Sequence, residues 1–558
     1  MMPKFSQMPY ERPDLEALKA QMSDLTTRLK AAKSYAQAKA VFLEMDECSR
    51  HIDTLTNLVY VRHTINTRDT FYDGEMTFWN TAGPELEEYT KAWTAAMLAS
   101  PFRKDFEAEY GSLMFVNAEL QLKTFSPEIV PQLQRENDLT TEYQKLIASA
   151  QVPFEGKTYT LAQMGPFQSD ADDTRRLAAW RAMGTWFKEH QAGLDRIYDQ
   201  LTHLRDEMGK KLGYEGYTTL GYYRMGRNCY GQKEVESFRR QIKQYFVPFA
   251  EKLHERRRQR LGLDKLSYID QAVYFKQGNP APTGTPEEIM AAGQKMYREL
   301  SSETGEFFDF MMENQLFDVL GRKNKRAGGY MTYMPDYHSP FIFANFNGTS
   351  GDVDVVTHEC GHAFQGYLSG QDPIREHADI TMETAEIHSM SMEFMTENWM
   401  GLFFGDRKQD YIDMHLEDSA IFIPYGCMVD EFQHIVYENP DMTPAQRHTA
   451  WLQLEAEYRP HMDYGDNPFF GKGGLWQQQL HIYNSPLYYI DYCLAQTCAL
   501  QYKIWKDKDF KAAWASYLKL CKLSASDFFT RMIPAVGLKN PFEDGSIRSL
   551  VESLEASV

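Results

Sequence analysis

The stretch Val355-Val356-Thr357-His358-Glu359-Cys360-Gly361-His362-Ala363-Phe364 places two histidines four residues apart inside an apolar, helix-compatible run. On an α-helix that spacing sets both imidazoles on one face, one turn apart, so both reach a single cation. Glu359 lies beside them, too far round the helix to be an ideal third ligand. A carboxylate there can take a proton from metal-bound water, whose pKa the metal lowers towards neutrality. With 15 His and 78 acidic residues in 558 positions, chance supplies such a pattern only about 0.06 times per chain. The minimal implication is a zinc hydrolase.

A tetrahedral catalytic site takes a third protein ligand and leaves the fourth position for water. The metzincin layout requires Gly at 365 and His at 368, where this chain has Gln365 and Leu368, so that layout is excluded. An acidic ligand is available further on, in the helix-favouring run from Thr381 to Phe394. Glu386 follows His362 by 24 residues, enough chain to turn back and lay a second helix on the first. Glu383, Glu386, Glu393 and Glu397 share one face of such a helix, and spacing does not choose among them.

The pair His358-Glu359-Cys360-Gly361-His362 and Ala385-Glu386-Ile387-His388-Ser389 resembles the zinc oligopeptidase family of thimet oligopeptidase and oligoendopeptidase F, closest to oligoendopeptidase F and the Pz-peptidases. The similarity extends from Tyr10-Glu11-Arg12-Pro13 to Gly537-Leu538-Lys539-Asn540-Pro541-Phe542. It implies one Zn2+ per chain held by His358, His362 and Glu386, with Glu359 as general base. It also implies a mostly α fold: a large two-lobed helical metallopeptidase with a deep central channel and a small β-sheet beside the zinc helix. The activity implied is hydrolysis of internal bonds of short oligopeptides by Glu-assisted attack of zinc-bound water.

Hydroxide attack on an amide creates an oxyanion that needs a donor besides the metal. The run from His481 to Tyr492 is dense in such donors, and the family has a corresponding His- and Tyr-rich segment. His481 and Tyr488 are the expected oxyanion partners, with Tyr489 and Tyr492 beside them. The spacing departs from the thimet-type Y-Y-x-Y pattern, because position 490 is Ile. Metal-bound imidazoles usually give their second N–H to a carboxylate or carbonyl, for which Asp354 and Glu393 are candidates. Cys360, between the catalytic residues, is either a small buried filler or an oxidisable group.

Two alternatives share parts of this reading. A zinc hydrolase acting on a non-peptide amide needs the same ligands, and a metal-stabilised peptide-binding protein needs no base, against which the intact Glu359 speaks.

Periodic apolar positions Leu15, Leu18, Met22, Leu25 and Leu29 predict an amphipathic helix entered at Pro13, and similar stretches cover 35–66 and 83–106. Between 149 and 173 the pattern breaks. A helical lobe is therefore expected over 1–155 and a catalytic region over 156–558. The tyrosines among Gly213, Gly216 and Gly221 read as packing between helices. Thr285 and Glu288, after the loop 278–286, form a capping-box pattern.

Residues 340–349, opened by Pro340 and closed by Asn347-Gly348, form the best strand candidate. An edge strand there pairs with an extended peptide, and the family uses a strand in this place. Phe343, Ala344, Asn345, Phe346, Asn347 and Gly348 are thus expected to bind substrate, together with Tyr330, whose loop Gly328 and Gly329 would let move.

A chain of this length exceeds one compact core. Its 59 Lys and Arg against 78 Asp and Glu leave a net charge of −19, which argues against nucleic-acid binding. The first eight residues have no signal-peptide core, and no run is apolar enough to span a membrane. The seven cysteines contain no C-x-x-C pair and read as reduced thiols. A cytoplasmic monomer acting on short peptides is expected.

Overall fold

The computed structural model describes residues 2–557 except 327, 371, 373, 379 and 524. Helices dominate, with two small sheets among the described residues. Helix starts follow local capping chemistry. Asp14 accepts from the N–H groups of Glu16 and Ala17 at the head of Leu15–Ala31, and Asp69 does the same for Phe71 and Tyr72 at the head of Thr70–Leu98. The spacing of Met22, Leu25 and Leu29 buries them in a core with Phe42, Met45, Trp79 and Trp93, whereas Leu15 and Leu18 are only partly covered. Thr285 and Glu288 close their capping box at the head of Pro286–Leu300.

The chain forms two compact units, each assembled from three segments. One comprises the chain up to Leu122, Pro280–Gln409 and Trp505–Leu538. The other comprises Lys123–Asn279, Asp410–Ile504 and the chain from Lys539. This division does not follow the linear one expected at 155 and 156. The break in pattern there is a hairpin, Val152–Phe154 (β1) paired antiparallel with Lys157–Tyr159 (β2), inside the second unit. Asp172 then caps the long helix Asp173–Lys211. Of the tyrosines in the glycine-rich stretch, Tyr217 and Tyr222 are buried core, while Tyr214 and Tyr223 are half-buried.

In the first unit, Phe317–Leu320 (β3), Tyr330–Met334 (β4) and Ser339–Phe346 (β5) form a sheet in the order β3-β5-β4. The expected strand at 340–349 is therefore present as β5, but it lies between two neighbours rather than at an edge. The difference comes from β3, whose four residues are too few to stand out in the sequence, and which pairs parallel with β5 across a register shift between Asp318 and Leu320. Lys325 sits by that irregularity, its side chain fully buried, and donates to Asp318, to the Leu320 carbonyl and to the Ala344 carbonyl. Pairing with β4 stops at Phe343, opposite Tyr330.

Asp352 joins the sheet to the next helix, Gly351–Ser369. Its carboxylate accepts from the N–H groups of Asn347 at 2.8 Å and Gly348 at 2.7 Å, and it lies in the first turn, where negative charge is favoured. Asp352→Ala leaves two backbone donors without this partner and should lower the apparent Tm by roughly 1–3 °C, as for a loss of about 1–2 kcal/mol in a protein of this size. Differential scanning fluorimetry checks this.

Candidate metal centre

His358 and His362 lie on Gly351–Ser369, and Glu386 lies on Met382–Met395. The two helices cross at Gly361, where an added Cβ would fall 2.6 Å from both the His388 carbonyl oxygen and the Ser389 Cα. Only glycine permits so close an approach of backbone to backbone. The His388 carbonyl also accepts from the Tyr517 hydroxyl at 2.8 Å, and Tyr297 holds the Val356 carbonyl at 2.9 Å.

The crossing brings three ligand atoms together. Glu386 Oε2 lies 3.5 Å from His358 Nε2 and 3.6 Å from His362 Nε2. Ligands about 2.0–2.1 Å from a tetrahedral zinc stand about 3.3 Å from one another, so the spacing suits an ion between them. Each ligand is oriented from behind. His358 Nδ1 meets Glu393 Oε1 at 2.6 Å, His362 is hydrogen-bonded to the backbone of Ala385, and the Ser389 hydroxyl donates to Glu386 Oε2 at 3.1 Å. The four acids expected on one face are thus sorted by their partners. Glu386 faces the histidines and Glu393 fixes His358, whereas Glu383 accepts from Thr381 at 2.8 Å and Glu397 pairs with Lys506. Of the two expected orienting acids, Glu393 takes the role on His358. The Ser389 contact was missed, although the residue stands in the quoted motif.

The surroundings treat the two imidazoles differently, burial pushing His362 down to about 4. Burial opposes charge on His358, but Glu386 and Glu393 outweigh it and hold its pKa well above the ordinary range. Burial raises the Glu359 carboxyl, and the like charges of Glu386 and Glu393 add to this against His358. A second group, Glu251, His254 and His461, has the same composition and lies in the other unit. There Arg257 donates to His254 Nδ1 at 3.0 Å, Glu251 is engaged by His461 Nδ1 at 2.6 Å, and the two imidazoles lie 3.6 Å apart, tilted by 32°. Burial first, then His461 and the guanidinium groups of Arg257 and Arg459, depress the His254 pKa. Guanidinium neighbours disfavour a cation in this cluster, whereas the His358 cluster has acidic neighbours instead.

Cys360 is fully buried, and burial pushes its thiol up, which suits a filler rather than a reactive group. All seven cysteines are free. Tyr330 opens β4, stacks on Phe343 at 4.8 Å and bonds Thr64 at 2.5 Å. Phe343 and Ala344 are buried, Asn345 and Phe346 partly exposed, and Asn347 and Gly348 exposed. Gly329 keeps side-chain atoms away from Glu359, since a Cβ there would lie 3.9 Å from Glu359 Oε1.

His481, Tyr488, Tyr489 and Tyr492 gather within the second unit, with the His481 ring 5.7, 5.1 and 6.0 Å from the three tyrosine rings. Gln479, not singled out from the sequence, donates from Nε2 to His481 Nδ1 at 3.0 Å, while its own Oε1 accepts from Tyr425 at 2.9 Å. Neutral His481 therefore carries its proton on Nε2 and presents a donor there.

Two histidines and a glutamate converging from two crossed helices, with a second carboxylate beside them, define a metallopeptidase-type centre in a helical chain. Residues 5–125 match the peptidase M3 N-terminal domain and residues 296–552 match peptidase family M3. A solved structure assigned as oligoendopeptidase F is 46% identical over 100% of this chain and 98% of its own, with a TM-score of 0.93. PZ peptidase A with an inhibitor is 45% identical over 100% of this chain and 99% of its own, also at 0.93. A protein assigned as oligoendopeptidase F from Bacillus anthracis str. Ames is 41% identical over 99% of this chain and 98% of its own, at 0.89. A search among curated proteins finds no match. The chain belongs to peptidase family M3 and is a metalloendopeptidase.

Gly361→Ala must push the two helices apart, because the obstructing atoms are backbone. Competition titration with a chromophoric chelator should show divalent-metal affinity falling about 10–100-fold, the range for a disturbed ligand shell. Glu393→Ala, which frees the His358 ring, should fall in the same range.

Proposed function

We propose that this chain is a zinc-dependent endopeptidase that cleaves internal bonds of short oligopeptides in the cytoplasm, with one zinc site per chain. The observation that carries the reading is the meeting of His358 Nε2, His362 Nε2 and Glu386 Oε2 at 3.5–3.6 Å, with Glu359 adjacent in sequence. A nitrogen- and oxygen-donor set of three with an open fourth position suits catalytic zinc. Zinc held there supplies Lewis-acid polarisation of the scissile carbonyl and acidifies water at the site.

Glu359 accepts a proton from the attacking water and returns it to the leaving amine. Its burial and its acidic neighbours raise its pKa, which brings its basicity nearer to that task. His481 and Tyr488 donate to the oxyanion, a role supported by the Nε2–H tautomer that Gln479 imposes, with Tyr489 and Tyr492 completing the donor cluster. An extended peptide runs along the sheet beyond the last β4 pair at Phe343, contacting backbone and side chains from Asn345 to Asn347, with Phe343, Ala344, Gly348 and Tyr330 flanking it. Among the described residues no helix is long and apolar enough to cross a membrane.

Mass spectrometry of a peptide panel tests the reading. Internal cleavages should appear, vanish after chelation and return with one equivalent of zinc; turnover by chelated, metal-free protein, or release of terminal residues alone, overturns it. Glu359→Gln should retain the metal and lose at least about a hundredfold in kcat, and wild-type turnover in that variant would remove Glu359 as the base.

A further inference from the structure

Leu487, directly before the tyrosine pair, has φ +67°. A residue with a Cβ is unfavourable in that left-handed region, so the conformation persists only where the surroundings enforce it. Three contacts inside the second unit do so. The Leu487 N–H donates to Gln433 Oε1 at 2.9 Å. Its carbonyl accepts from Arg227 Nη2. Its side chain occupies the place of a missing Cβ on Gly221, which would lie 2.7 Å from Leu487 Cδ1.

The same Arg227 Nη2 also donates to Asp491 Oδ1 at 3.0 Å, an oxygen that accepts from the Tyr230 hydroxyl at 3.1 Å as well. Asp491 stands in the first turn of Tyr489–Lys508, and its N–H donates to the Tyr488 carbonyl at 3.0 Å. One guanidinium thus ties the residue before Tyr488 to the turn after it. Leu487, Gln433 and Asp491 are fully buried and Arg227 nearly so, so water does not replace a lost partner.

We infer that Arg227 and Gln433 are positioning residues for the peptidase reaction, locking Leu487 in its left-handed conformation so that Tyr488 and Tyr489 leave the chain in one fixed direction. The inference rests on the proposed donation from Tyr488 to the oxyanion. Without the Gln433 acceptor, a buried Leu487 N–H loses its partner and the residue relaxes towards an ordinary backbone region. That rotation redirects the tyrosines that follow.

The test uses the full-length, zinc-loaded protein as Gln433→Leu, Gln433→Glu, Tyr488→Phe and the Gln433→Leu/Tyr488→Phe double variant. Kinetics on an internally quenched peptide are paired with the 19F signal of 3-fluorotyrosine placed at position 488. Gln433→Leu should lower kcat about tenfold or more, as expected for a misplaced group, with KM changed less than about threefold and bound metal unaltered. The 19F signal should shift or broaden, and Gln433→Glu, which keeps an acceptor, should restore most of both. The double variant should be no slower than the slower single. Losses that multiply, or a Gln433→Leu enzyme within about twofold of wild-type kcat with an unmoved signal, overturn the inference. Should Gln433→Leu fail to fold, Gln433→Asn, too short to reach the amide, takes its place with the same criteria. If Tyr488→Phe alone leaves kcat unchanged, the oxyanion role falls. The 19F signal then still judges the clamp: displaced in Gln433→Leu it sustains the lock on Leu487, and unmoved it refutes it.

Discussion

The centre depends on how closely two helices can cross. At Gly361 the approach is limited by backbone atoms of His388 and Ser389, so no rotamer change relieves a larger residue. The crossing places Glu386 one turn before the contact, and His358 and His362 lie on either side of it along the other helix. A side chain at 361 would therefore act on both histidine–Glu386 distances together, without touching any of the three residues. The hydroxyls of Tyr297 and Tyr517, each on a backbone carbonyl of one of these helices, fix the pair from outside.

Burying several carboxylates on the helix Met382–Met395 and in the turn just after it, where Glu397 falls, is costly unless each finds a counter-charge or donors. Glu397 has Lys506, Glu383 has the Thr381 hydroxyl and Glu393 has His358. Glu386 has Ser389 and two imidazoles, which neutralise it fully only when protonated. A divalent ion at the same point satisfies the carboxylate and leaves both rings neutral. Metal affinity and the stability of this helix pair are thus two expressions of one electrostatic demand.

The parts of this centre that depend on periodicity were legible in the sequence. Histidines four apart need only a helix to share a face, and the helix formed. The four acids were legible only as a set, because one helical face presents them equally; the partners across the interface distinguish them, and Ser389, Thr381 and Lys506 carry no such label in one dimension. The family resemblance chose Glu386, whose Oε2 lies 3.5 and 3.6 Å from the two histidine Nε2 atoms. The strand before the centre was readable from Pro340 and Asn347-Gly348, but its place in the sheet was not. That place is set by β3, whose four residues include Asp318, and by a lysine buried against the register shift. The hairpin at 152–159 mimicked a domain boundary because turn chemistry looks the same inside a compact unit as between two.

A metal fixes the direction of its ligands through coordination, but hydrogen-bond donors aimed at a developing charge need another means of fixation. In the second unit that means is a chain of neutral contacts. Tyr425 orients the Gln479 amide, and the amide selects the His481 tautomer. Reversing the amide would present an acceptor to Nδ1 and move the ring proton there, removing the donor at Nε2 with scarcely any change in heavy-atom positions. The proton position on His481 is therefore tied to the orientation of the Gln479 amide, which also contacts Tyr425.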